Sequence, residues 1–110
     1  MVSIIVPVLN EAQVIGSLLE HLLALEGEHE IIVVDGGSED GTAAIASRYV
    51  RVVSAERGRA RQMNAGVREA RGEVLLFLHA DCRLPAGAIQ RIEAALADPA
   101  CVGGCFTLSL

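Results

Sequence analysis

The chain has no lysine and no tryptophan, and all nine of its cations are arginine. A catalytic or Schiff-base lysine is therefore excluded, as is a phospho-receiver domain, which needs one. Aromatic residues amount to Tyr49 and two phenylalanines, too few for the stacking platforms that grip single-stranded nucleic acid. A net charge of -5 also lacks the basic footprint of a nucleic-acid-binding protein. The three cysteines, Cys82, Cys101 and Cys105, fit no zinc spacing and are odd in number, so reduced thiols in a cytoplasmic protein are the expectation. No apolar run approaches the ~20 residues of a transmembrane helix. The opening "MVSIIVPVLNEA" has neither the basic region nor the cleavage site of a signal peptide.

What is present suits one domain of residues 1–110. At 52% hydrophobic, the chain can fill a core. "VSIIVPV" (2–8) is β-branched and nearly all apolar, the pattern of a strand buried on both faces. Residues 12–25 place Ile15, Leu18, Leu19, Leu22 and Leu25 at helical spacing. "EIIVVD" (30–35) reads as a second buried strand. A short helix follows in "SEDGTAAIASRY", with Ser38 or Asp40 near its start. "VRVVSA" (50–55) is a third strand. Residues 58–71 are helical, with Ala60, Met63, Val67 and Ala70 on one face and Gly72 as a C-cap. "EVLLFLHA" (73–80) is a fourth strand. Pro85 opens a helix that runs to about Ala97, and "CVGGCFTLSL" (101–110) is a last strand. This alternation predicts an α/β fold, a mainly parallel sheet with helices on both faces.

In open parallel sheets, ligands bind beyond the carboxyl ends of the strands. Three such ends carry polar groups: Asn10 and Glu11 after the first strand, Asp35 to Ser38 after the second, His79 and Asp81 after the fourth. "PVLNEA" has no glycine, which excludes a dinucleotide fingerprint or P-loop and speaks against a nucleotidyltransferase. Arg57, Arg59 and Arg61 crowd a helix N-terminus, where the macrodipole prefers acids, and such an end with arginines suits an anion. Arg57, Arg61, Asn64 and Arg68 share one helical face; a solvated basic face paired with Glu69 and Glu73 is the alternative. Rim carboxylates can hold a divalent cation that bridges a diphosphate, and Asp81 suits it. His79 could orient Asp81 or meet the nucleotide; a histidine merely satisfied at a strand end is the plainer reading.

With these residues in hand, the chain resembles family 2 glycosyltransferases of the Rossmann-like GT-A fold. "IIVPVLNEA" is similar to that family's opening strand. "IIVVDGGSEDGT" is similar to its "VDDGSxDGT" loop, and "LLFLHAD" stands where it carries an Asp-x-Asp metal motif. "GRARQMNAG" followed by "LFLHADCRLP" resembles the radical-SAM/selenodomain-associated branch. The resemblance implies a nucleoside diphosphate sugar as donor, an unknown acceptor, and Mn2+ or Mg2+ as cofactor. It implies that Pro7, Asn10 and Glu11 line the nucleotide pocket, that Asp35 bonds to the base or ribose, and that Gly37 belongs to the nucleotide-sugar site. Arg61 and Asn64 would lie near the nucleotide and diphosphate, His79 would belong to the nucleotide-sugar site, and Asp81 would bind the metal. Transfer would invert the anomeric carbon, with a carboxylate as base that no residue here can be assigned to.

Two departures stand out: Gly36 replaces the second aspartate of the "DD" pair, and His79 replaces the first of Asp-x-Asp. The chain reads as the donor-binding half alone, with the acceptor half absent. A nucleotide-sugar-binding module without turnover is therefore the alternative function. A homodimer through the last strand is also expected, with Val102, Phe106, Leu108 and Leu110 near the contact.

Overall fold

The structure, a computed structural model, describes residues 1–80, 84, 86–94 and 106–109. Strand β1 (Val2–Val8) is buried nearly throughout, and its alternate residues serve two separate cores. Val2, Ile4, Val6 and Val8 join one cluster, while Ile5 joins the other. Strand β2 (His29–Asp35) divides likewise, Ile31 and Val33 against Ile32 and Val34. Side chains of a strand alternate between faces, so a strand covered on both sides must be apolar at every position. That is why these segments read as unbroken hydrophobic runs.

Strand β3 (Arg51–Ser54), strand β4 (Val74–Leu78) and strand β5 (Phe106–Ser109) complete a sheet of order β3-β2-β1-β4-β5. The pairs β1–β2, β1–β4 and β2–β3 are parallel, and β5 runs antiparallel to β4. From β1 the chain builds outward through β2 and β3, then returns to place β4 on the other side of β1. The order reverses between β1 and β4, and a reversal of this kind opens a crevice at the carboxyl ends. Pro7 sits beside it. The β1–β4 register ends at Ile5↔Phe77, so the N–H that proline lacks falls beyond that pairing.

Helix α1 (Ala12–Leu23) buries Ile15, Leu18, Leu19 and Leu22 against the larger cluster. Helix α2 (Thr42–Ala46) adds Ala46, and helix α4 (Ala88–Ala94) adds Ala88, Ile89 and Ile92. Helix α3 (Arg59–Glu69) covers the opposite face over Ile5, Ile32 and Val34. Helices thus lie on both faces, as the alternation implied. Helix α1 ends at Leu23 rather than Leu25, which still packs partly buried on the core. Pro85, the three cysteines and residues 95–105 lie outside the described residues.

Two expectations are corrected. The buried side of α3 is formed by Gln62 and Gly66, whereas Val67 is exposed. A Cβ on Gly66 would lie 2.5 Å from Ile5 Cγ2, so glycine is what lets this helix settle onto the sheet. Gly72 is not a left-handed cap: α3 gives way at Ala70, which is extended (φ -72, ψ 138). Gly72 is instead needed for close approach, since a Cβ there would stand 2.6 Å from Ser3 Oγ and 2.7 Å from the Met1 carbonyl oxygen.

The Gly72 amide donates to Ser3 Oγ (2.7 Å), and that hydroxyl donates to Glu30 Oε2 (2.5 Å). The Arg71 amide donates to the same carboxylate oxygen at 2.5 Å. Burial pushes the Glu30 carboxyl upward. The Ser3 hydroxyl, the amides of Arg71 and Gly72 and the Arg71 charge outweigh it and hold Glu30 below the usual range.

Candidate functional site at the carboxyl rim

Two loops are sewn together at the carboxyl ends of β1 and β2. Asn10 adopts a left-handed backbone (φ 54), which Asn tolerates better than most residues. Its amide donates to Ser38 Oγ (2.8 Å), and its Oδ1 accepts from the Glu39 amide (2.8 Å). The Glu11 amide donates to Thr42 Oγ1 (2.9 Å) and the Ala12 amide to Asp40 Oδ2 (3.1 Å). Asp40 also accepts from the Thr42 amide (3.1 Å) and from the Thr42 hydroxyl. The hydroxyl first, then the Ala12 and Thr42 amides, hold the Asp40 carboxyl below its usual range. Asp40 thus receives the first turn of α2, whose cap position is Gly41 (φ 90). Asn10 acts here as a clamp between loops. Glu11 stands at the start of α1, where its carbonyl oxygen accepts from Val14 and Ile15 and its side chain caps nothing.

Asp35 closes β2 and is only 6% exposed. One carboxylate oxygen, Oδ2, accepts from the amides of Gly37 (3.1 Å) and Ser38 (3.0 Å). The other, Oδ1, is buried with no hydrogen-bond partner among the described residues. An unpaired buried carboxylate oxygen costs free energy, and this one stands at a strand end on the carboxyl rim. Gly37 has φ 97 and open space around it, so the turn presents backbone alone there.

Helix α3 divides the remaining residues between its two flanks. On the β4 side, Pro7, Arg59, Met63, Phe77, Leu78 and His79 line a small depression of about 10 Å3. Arg59 approaches His79 Nε2 at 3.2 Å. A guanidinium can only donate, so Nε2 is the acceptor in this contact. On the β3 side, Arg61, Asn64 and Arg68 line an open hollow of about 410 Å3 with Ser54, Ala55 and Glu56. Arg61 pairs there with Glu56 (2.7 Å), both well exposed.

The structure thus gathers Asn10, Glu11, Asp35 and Gly37 around one pair of loops. It places Pro7 with His79, and sets Arg61 and Asn64 on the other flank of α3. Asp81 lies outside the described residues. Sequence reasoning overlooked two residues, Arg59 as the partner of His79 and Gln62 beneath the rim. Arg59 was within reach as one of the crowded arginines. Gln62 carried a fainter signal, an amide in "GRARQMNAG" that belongs to neither the apolar nor the basic face.

Among the described residues no group of three or more His, Cys, Asp or Glu could hold a metal ion. No helix among them is long and apolar enough to cross a membrane.

Known proteins resemble this chain in sequence and fold. The profile described as glycosyl transferase family 2 matches residues 3–109. Glycosyltransferase AglE of Haloferax volcanii is 33% identical over 92 residues, covering 74% of this chain and 30% of that protein. A mannosyltransferase from Pyrobaculum calidifontis, solved in complex with GDP-Man and Mn2+, matches with TM-score 0.79 and 31% identity over 89% of this chain and 32% of its own. Glucosyl-3-phosphoglycerate synthase from Mycobacterium tuberculosis, in complex with Mn2+, UDP and glucosyl-3-phosphoglycerate, matches with TM-score 0.70 and 25% identity, covering 94% and 40%. The chain spans about a third of the length of the curated relatives it matches, 30% and 35% in two of them. With the reversal between β1 and β4, the polar loops at the carboxyl ends of β1 and β2 and a match across residues 3–109, the chain belongs to glycosyl transferase family 2 and has its GT-A fold.

Proposed function

We propose that this chain binds the donor of a metal-dependent, inverting glycosyltransferase, a nucleoside diphosphate sugar whose sugar passes to an acceptor still to be identified. The observation that carries the reading is Asp35 Oδ1, a buried acceptor without a partner at the rim where such folds bind ligands. A nucleobase N–H or ribose hydroxyl supplies the missing donor. The solved relatives with GDP-Man and with UDP support a nucleoside diphosphate as the ligand class.

In this reading Pro7, Asn10, Glu11 and Gly37 shape the nucleoside end. Arg61 and Asn64, or Arg59 with His79, take the diphosphate. A divalent Mn2+ or Mg2+ would neutralise the departing diphosphate. Its protein ligand is assigned to Asp81. His79 is a poor candidate for that role, because its Nε2 lone pair faces the Arg59 guanidinium. A cytoplasmic location belongs to the same proposal, supported by the odd number of cysteines in the sequence. A homodimer through β5 belongs to the same proposal, supported by the position of β5 at the sheet edge among the described residues; light scattering showing a clean monomer would remove it.

The test is calorimetric titration of UDP and GDP, with and without Mn2+, into the parent chain and Asp35→Asn. Asparagine keeps an oxygen for the Gly37 and Ser38 amides but turns the free acceptor into a donor. A hydrogen bond to a charged group contributes about 1.5–3 kcal/mol, so affinity should fall roughly tenfold to a hundredfold. Unchanged affinity refutes the reading.

A further inference from the structure

Gln62 is only 5% exposed, although it belongs to an otherwise solvent-facing, arginine-rich turn. Its Nε2 donates to the carbonyl oxygens of Val8 (2.9 Å) and Val34 (3.0 Å). Val8 is the last residue of β1, and Val34 immediately precedes Asp35. The Gly58 amide approaches Gln62 Oε1 at 3.4 Å. One carboxamide therefore joins the ends of both central strands to the start of α3, directly beneath the turn that carries Asp35. The Val8 oxygen also accepts from the Gly36 amide (3.0 Å), so bridge and turn share an acceptor.

Gly36 is the other half of the arrangement. It does not adopt a left-handed backbone, so conformation alone would allow any residue. Space does not: a Cβ would lie 2.8 Å from Gln62 Cδ and Oε1 and 2.9 Å from Nε2. The end of a glutamine can swing aside, but only by releasing both carbonyls. A side chain at position 36 and the Gln62 bridge exclude each other.

We infer that Gln62 is a positioning residue for Asp35, and that Gly36 is glycine to admit it. The pair removes any second side chain from the β2 tip, leaving Asp35 as its sole reader of the nucleoside and fixing that carboxylate from below. The ligand half of this inference rests on the nucleoside diphosphate reading; the positioning half does not.

The experiment measures amide hydrogen exchange and urea unfolding on the whole chain. Gln62→Met keeps length and removes the donors. Exchange at Gly37 and Ser38, whose amides bond to Asp35, should speed up about tenfold or more relative to Leu18 and Leu19 in α1. A loss of global stability alone would leave that ratio unchanged, and an unchanged ratio overturns the inference. Gly36→Ala should reproduce the effect by displacing the carboxamide, which decides the matter if Gln62→Met does not fold. Gly36→Ala should also lower the urea midpoint in the parent but not in a Gln62→Ala background; equal losses in both overturn the steric coupling.

Titration of UDP and GDP with Mn2+ then separates the two readings. A parent that binds neither refutes the proposed function while the exchange ratio still decides the positioning role. A parent that binds, with Gln62→Met binding equally well, refutes the positioning role.

Discussion

Two glycines in two helices should respond to the same substitution with opposite signs. Gly16 lies inside α1, where a Cβ would meet Ile45 Cγ2 and the Tyr49 hydroxyl at 3.7 Å, ordinary contact distances. Alanine is better than glycine in a helix interior by about 0.8–1 kcal/mol, and nothing opposes that gain here. Gly16→Ala should stabilise the chain by roughly 0.5–1 kcal/mol. Gly66 lies inside α3, where a Cβ would fall 2.5 Å from Ile5 Cγ2, 3.2 Å from Val34 Cγ2 and 3.3 Å from Ile5 Cγ1. Ile5 and Val34 are fully buried, so neither has room to yield. Overpacking of this kind costs about 1–3 kcal/mol, which exceeds the propensity gain. Gly66→Ala should therefore be destabilising by roughly 1 kcal/mol net. With a urea m-value of about 1–3 kcal/mol per molar, the two midpoints should separate by several tenths of a molar or more. Equal stabilisation by both substitutions would show that helix propensity alone governs, and that α3 is not seated this closely on β1 and β2.

Glu30 should link stability to acid. Its folded pKa is lowered, so its contribution is complete above the value of a free glutamate, about 4.3, and is lost as pH falls through the folded value. Unfolding free energy should therefore drop between about pH 5 and pH 3, with a shallower drop in Ser3→Ala; parallel curves would contradict this. Asp81→Ala should abolish Mn2+-dependent binding of a nucleoside diphosphate, checked by calorimetry, and undiminished metal dependence removes the assignment. If the diphosphate lies on the β3 flank of α3, Arg61→Ala should weaken nucleoside diphosphate binding about tenfold to a hundredfold while sparing the nucleoside. If it lies beside His79, Arg59→Ala should do so instead, and equal losses for both ligands would mean that the arginine acts through the fold.

The strands were legible because a strand covered on both faces leaves no polar position to confuse the pattern, as in β1 and β2. The rim was legible because topology alone brings strand ends together. The underside of α3 was not. Hydrophobic spacing pointed to Ala60, Met63 and Val67, but the helix approaches the sheet through Gly66 and Gln62. A buried amide is favoured there by carbonyl groups at the ends of β1 and β2, which no helical periodicity records. Gly72 misled for a related reason: a glycine after a helix commonly relieves backbone strain, whereas this one makes room for Ser3 and Met1. Asn10 was expected at the pocket wall, and its hydrogen bonds to Ser38 and Glu39 belong to a pairing of loops that are distant in sequence.

The two faces of the sheet are unequally covered. Helices α1, α2 and α4 share a large cluster, whereas α3 is seated on Ile5, Ile32 and Val34 with partly buried neighbours. Apolar burial sets the free energy of sub-global opening, so among the described helices α3 is expected to open before those packed on the larger cluster. Arg59 and Arg61 are in its first turn and Arg57 just precedes it, and trypsin cleaves after arginine. A donor that spans the rim and α3, as proposed, would bind only the closed form and draw the chain toward it by mass action. If the rim binds the proposed donor, the helix expected to open first borders its site, and the lifetime of this segment under protease would become a direct gauge of occupancy.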